Sequence, residues 1–152
     1  MPPEIEPNST APLAGMTVLL VEDETFIADL LKSWFARLGA KTLWANCGKD
    51  GVRLLQENTA AVSLVIADFK LPDMDGTEMC TELRALKPRI PVLLSSGRYQ
   101  REAEKFLSIS GPTFFLQKPY PLEDVLVALK KLLAAAEADA REHGKAGPES
   151  QA

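Results

Sequence analysis

This 152-residue chain has little that could hold it together or place it other than its own core: two cysteines, one histidine and two tryptophans. Cys47 and Cys80 stand far apart, with no CxxC spacing and no partner histidine. Neither a zinc site nor a disulfide framework is indicated, and both are expected as reduced thiols. No apolar run approaches the roughly 20 residues that cross a bilayer. The first fifteen residues carry prolines at 2, 3, 7 and 12 but lack the basic and apolar regions of a secretory signal. Lysine and arginine number 17 against 21 acids, for a net charge of -4, so nothing suggests an electrostatic partner such as nucleic acid. Together these absences predict a soluble, cytoplasmic protein with no nucleic acid and no membrane among its partners.

What is present is the composition of an ordinary globular domain, 46% hydrophobic and 25% charged. Apolar runs of strand length alternate with segments of helical period, which argues an α/β fold with a parallel sheet covered on both faces. Strands are predicted over 18–21, 42–45, 64–67, 91–94 and 113–116. Helices are predicted over 25–38, 49–56, 77–86, 100–108 and from Pro121 onward. In the first, Ile27, Leu30, Leu31, Trp34, Phe35 and Leu38 recur at 3.6-residue spacing, and Gly39 supplies the stop. In the last, Leu122, Val125, Leu126, Leu129, Leu132 and Leu133 form one stripe. Composition divides the chain into a Pro-rich extension over 1–15, one domain over 16–136, and a fraying helix end and polar tail over 137–152.

In an open parallel sheet, ligands bind beyond the carboxyl ends of the strands. The residues expected there are Glu22 and Asp23, Asp68, Ser95 and Ser96, and Lys118. Each has an ordinary reading. Asp68 alone could be a loop cap, a metal ligand, a nucleophile or a salt-bridge partner; Glu22 and Asp23 could cap a helix; Lys118 could be solvated. Gathered together, three acids repel one another unless a cation offsets them. Oxygen donors without histidine or cysteine suit a hard ion, and Mg²⁺ takes one or two carboxylates while leaving positions for phosphate oxygens. Phosphoryl transfer then has a candidate for each part: Asp68 as carboxylate nucleophile, Lys118 as an ammonium, and Ser96 as a hydroxyl donor.

The stretches "VLLVEDE" at 18–24, "LVIADFKLPDMDG" at 64–76, "PVLLSSG" at 91–97 and "FFLQKPY" at 114–120 together resemble the receiver domain of two-component response regulators. The resemblance covers about Thr17 to Leu133. It implies a doubly wound five-stranded parallel sheet of order 2-1-3-4-5 with five helices, a flavodoxin-like fold. It implies Asp68 as phosphoacceptor, and a Mg²⁺ site of Glu22, Asp23, Asp68 and the backbone carbonyl of Lys70, with Asp23 the direct ligand and Glu22 acting through water. Ser96 matches the switch hydroxyl, although Ser95 leaves a one-residue ambiguity that Gly97 tips toward Ser96. Lys118 matches the phosphate-pairing lysine, joined to Pro119 by a cis peptide, and Phe115 the switch aromatic, here without a tyrosine hydroxyl. Lys70 and Arg98 flank the site and bear on the attacking water and so on phosphoryl lifetime.

The function implied is that of a single-domain, stand-alone response regulator, not an enzyme beyond Mg²⁺-dependent self-phosphorylation and autodephosphorylation. A histidine kinase or a histidine phosphotransfer protein would supply the phosphoryl group. Output would be protein binding through the α4-β5-α5 face, that is, the predicted fourth helix, fifth strand and fifth helix, with homodimerisation through the last helices a further option. Fewer than 20 residues follow Leu133, too few for an output domain. Two other classes compete. An aspartate-nucleophile phosphatase of the haloacid dehalogenase type wants a second acid two residues past the nucleophile, where this chain has Lys70. A pseudo-receiver would bind a partner without phosphorylation.

Overall fold

The computed structural model describes residues 11–97 and 109–151, without the side chains of residues 143–151. The elements are β1 (Thr17–Val21), α1 (Thr25–Arg37), β2 (Lys41–Ala45), α2 (Gly48–Glu57), β3 (Leu64–Asp68), α3 (Gly76–Leu86), β4 (Val92–Ser96), β5 (Thr113–Gln117) and a C-terminal helix (Leu122–Gln151). All five strands are parallel, in the order β2-β1-β3-β4-β5. The fold class is α/β, doubly wound, as expected. The helix expected over 100–108 lies outside the described residues, as does Arg98.

The sheet is buried on both sides because its inner strands carry continuous apolar runs, over 18–21, 64–67 and 92–94. On one face Leu19, Val21, Val65, Ala67, Val92 and Leu94 pack against Leu55 of α2 and Met79 and Leu83 of α3. On the other, Val18, Leu20, Leu64, Ile66 and Leu93 pack against Ala28, Leu31 and Phe35 of α1 and Val125, Leu129 and Leu132 of the C-terminal helix. Burying an aliphatic or aromatic side chain contributes about 1.5–3 kcal/mol each, so these two layers hold the sheet between its helices.

Several boundaries differ from the sequence reading. The strand expected over 91–94 runs on to Ser96, because β5 continues to pair with it: Ser95 stands opposite Leu116 and Ser96 opposite Gln117. Ser95 and Ser96 therefore belong to β4, and Asp68 is the last residue of β3 rather than the first of the loop. Leu30, expected in the core stripe of α1, is 48% exposed, because the buried face is centred on Ala28, Leu31 and Phe35. Leu13, within the expected extension, is buried and its N–H donates to Leu38 O at 2.9 Å. Gly39 ends α1 at φ +94, and a Cβ there would stand 2.9 Å from that of Ala11. The last helix continues past Glu137, where composition predicted a fraying end, and Asp139 pairs with Arg89 at 3.6 Å.

Candidate functional site

At the carboxyl edge of the sheet, a cleft of about 280 Å³ is lined by Asp23, Glu24, Asp68, Lys70, Ser96, Gly97 and Lys118. Glu22 lies beneath it, 2% exposed, one residue past β1. Its backbone is pinned on both sides: its N–H donates to Ala45 O at 3.0 Å, and the Trp44 indole donates to its carbonyl at 2.8 Å. Its Oε2 accepts from the Glu24 N–H at 3.1 Å.

Lys118, directly after β5, sends its ammonium to two carboxylates. Nζ is 3.1 Å from Asp68 Oδ2 and 3.5 Å from Glu22 Oε1. Its N–H donates to Ser96 O at 2.8 Å, and its bond to Pro119 is cis. The other oxygen of Asp68, Oδ1, accepts from the Lys70 N–H at 3.2 Å. Burial raises the pKa of Glu22 above 4.5, helped by the charge of Asp68 and opposed by the Glu24 amide and by Lys118. Burial alone would lower that of Lys118, but Asp68 and then Glu22 outweigh it and hold the ammonium above 10.5.

Carboxylate oxygens of Glu22, Asp23 and Asp68 all lie within 4.8 Å of one another. The donor set is oxygen only and includes a buried carboxylate whose ionised form the fold disfavours, so the residues fit a hard divalent cation such as Mg²⁺. The expected acids, Ser96 and Lys118 are thus brought to one cleft. Ser95 takes another direction: its side chain hydrogen-bonds Tyr120, whose phenol pKa burial raises. Phe115 sits behind the cleft, half-buried, its ring 5.8 Å from that of the fully buried Phe69. Of the two basic flanks, Lys70 lines the cleft, and Arg98 lies outside the described residues.

The sequence reading missed two supports. One is Trp44, whose apolar ring gave no hint of its bond to Glu22. The other is Asp73, whose carboxylate reaches the amides that open α2, more than 20 residues away. An acid in a Pro/Asp/Gly loop reads as a local turn former, and nothing in one sequence points to so distant a partner.

An acidic, lysine-bearing cleft at the strand ends of a doubly wound parallel sheet is the arrangement that the receiver resemblance implies. Residues 18–130 match the response regulator receiver domain family, and the chain belongs to it. Over 88 residues it is 40% identical to the Regulator of RpoS of Escherichia coli K12, covering 58% of this chain and 26% of that protein. Over 121 residues it is 30% identical to the uncharacterized transcriptional regulatory protein YbdJ of Bacillus subtilis, covering 80% of this chain and 52% of that one. The chain thus spans about half or less of these relatives. A CheY-like response regulator receiver domain protein from Methanospirillum hungatei superposes with TM-score 0.71 at 28% identity, over 82% of this chain and 98% of that one. A receiver domain protein from Clostridium thermocellum gives TM-score 0.73 at 22% identity, over 81% and 98%, a likeness of fold. Among the described residues, no helix is long and apolar enough to cross a membrane.

Proposed function

We propose that the chain is a phosphorylation-dependent signalling switch: Asp68 accepts a phosphoryl group from a histidine kinase or a histidine phosphotransfer protein, and the phosphorylated form binds a downstream protein. The observation that carries this reading is the placement of Lys118, whose ammonium already bridges Asp68 and Glu22 at 3.1 and 3.5 Å in a cleft open to an anion. A carboxylate oxygen of Asp68 forms a bond to phosphorus as the bond from phosphorus to the donor imidazole nitrogen breaks, and the electron pair leaves with the imidazole. Lys118 and the Ser96 hydroxyl donate to the new phosphoryl oxygens, and Ser96 moves toward them. Asp23, Asp68 and the Lys70 carbonyl, with Glu22 through water, would hold Mg²⁺, which would supply countercharge to those oxygens. Water later attacks phosphorus, breaks its bond to Asp68 and releases inorganic phosphate; Lys70 lines the cleft by which it approaches, and Arg98, outside the described residues, is expected from the sequence to bear on the same step.

Drawing Ser96 inward frees space for Phe115 and shifts an existing equilibrium of the surface formed by the helix expected over 100–108, β5 and the C-terminal helix. The net charge of -4 favours a protein rather than a nucleic acid on that surface. Incubation with Mg²⁺ and acetyl phosphate should add one phosphoryl group by intact mass, absent in Asp68→Ala. A wild-type chain that stays unmodified with this donor and with histidine kinases would favour the binding-only reading. Steady turnover of small phosphate esters would favour the phosphatase.

A further inference from the structure

Helix α2 has no cap of its own. Cys47 holds the N-cap position but makes no side-chain hydrogen bond to the helix, although the first amides of a helix lack partners within it. Asp73, in the loop after the phosphoacceptor strand, fills the role: Oδ1 accepts from the Gly48 N–H and Oδ2 from the Lys49 N–H, both at 2.8 Å. A carboxylate suits the positive end of the helix. Desolvation pushes the Asp73 pKa up, but the Lys49 and Gly48 amides outweigh it and hold it below 3.8. Next to it, Met74 lies so close to Gly48 that a Cβ there would stand 2.3 Å from Met74 Cγ.

The loop that these contacts seize is the one that carries Lys70. Within the loop, the Lys70 N–H donates to Asp68 Oδ1 at 3.2 Å, the Leu71 N–H to Met74 O at 3.2 Å, Lys70 bridges Asp75, and Asp75 caps α3 through the Glu78 N–H at 3.0 Å. The loop is therefore anchored at β3 and at α3, and Asp73 adds a third anchor, across to α2. An anchored loop has less freedom to lose when a cation recruits its carbonyl.

We propose that Asp73 is a positioning residue for the metal site, its two-oxygen clamp on α2 setting the Lys70 carbonyl before a cation arrives. The inference rests on the Mg²⁺-dependent phosphoacceptor reading above. It is tested on the full chain by calorimetric titration with MgCl₂ and no phosphoryl donor, comparing wild type, Asp73→Ala, Asp73→Asn and Lys87→Ala. Lys87 holds the turn that follows the same helix, through Thr59 O at 2.7 Å and Val62 O at 2.6 Å. Its removal loosens that turn at the opposite end of α2 from Asp73 without touching the Lys70 loop. Groups that orient metal ligands typically change affinity by 10–100-fold, so Asp73→Ala should raise the Mg²⁺ dissociation constant on the order of tenfold. Asp73→Asn, which keeps one acceptor, should raise it less, and it carries the test should the alanine variant not fold. Lys87→Ala should lower the melting temperature and leave the dissociation constant unchanged. Both Asp73 variants binding Mg²⁺ like wild type, or Lys87→Ala weakening it equally, overturns the positioning role alone. No Mg²⁺ binding by wild type overturns the functional reading and this inference with it.

Discussion

Replacing Lys118 by methionine keeps most of the side chain's bulk and removes one charge, so its effects separate electrostatics from packing. The ammonium serves Asp68, whose side chain is 14% exposed, and Glu22, at 3%. Surface pairs contribute about 0–1 kcal/mol, whereas breaking a fully buried pair costs about 3–5 kcal/mol because a charge is stranded. With Lys118 itself 21% exposed, Lys118→Met should cost about 2 kcal/mol. That is about 4–8 °C in melting temperature for a chain of this size. The sign with pH follows from the two shifts. The raised pKa of Lys118 keeps its contribution complete below 10.5 and loses it only as pH climbs through the folded value. On the acid side the contribution needs ionised Glu22, whose pKa is raised, so the deficit of the variant should begin to shrink above pH 4.5 as the pH is lowered. Saturating Mg²⁺ should also narrow it, since a cation replaces the missing ammonium and stabilises by mass action. The measurement is a set of thermal melts of both proteins at pH 4, 7 and 9, with and without Mg²⁺. A deficit that is the same under all these conditions would refute the electrostatic account and leave only packing of the lysine stem.

Two further outcomes test the frame around the site. Gly76→Ala would place a Cβ 2.6 Å from Cδ2 of the buried Phe69 ring. Overpacking of about 1–3 kcal/mol outweighs the helix propensity gained by alanine, about 1 kcal/mol in a helix interior and less at a first turn; urea denaturation should report a net loss of about 1–2 kcal/mol, and an unchanged midpoint would mean that the ring yields freely. Burial pushes the Cys80 thiol up to about 11, so at pH 8 only about one molecule in a thousand carries the reactive thiolate. Iodoacetamide should therefore add at most one group to the native chain, at the partly exposed Cys47, and two after unfolding, by intact mass.

Continuous apolar runs made the inner strands readable, since a strand covered on both faces has no polar position to confuse the pattern. The same rule failed where the run stopped before the pairing did: Ser95 and Ser96 look like loop residues but are held in β4 by hydrogen bonding to β5. Helical period found the inward face of the C-terminal helix, yet in α1 it counted Leu30 inside and passed over Ala28, because period alone does not say where the buried arc is centred. The chemistry-bearing acids and Lys118 were legible from their positions after apolar runs. Their supports were not, because Trp44 and Asp73 act through contacts that only the folded register creates.

That register explains how groups this ill-suited to one another come together. Val21 pairs with Ala67, Asp68 with Ser95, and Ser96 with Gln117, so four adjacent strand ends deliver Glu22, Asp68, Ser96 and Lys118 to the same edge, strands lying about 4.8 Å apart. The three acids gain nothing locally from this arrangement. Glu22 resists ionisation there, and among the described residues Lys118 is the cation paired with both it and Asp68. What holds them is the apolar packing on both faces of the sheet, remote from the cleft. A shift of β3 by one residue against its neighbours would turn its buried side chains to the opposite face, and the folded state excludes it on those grounds. The cleft therefore sets three carboxylates around the ammonium of Lys118 on a sheet whose packing does not depend on them.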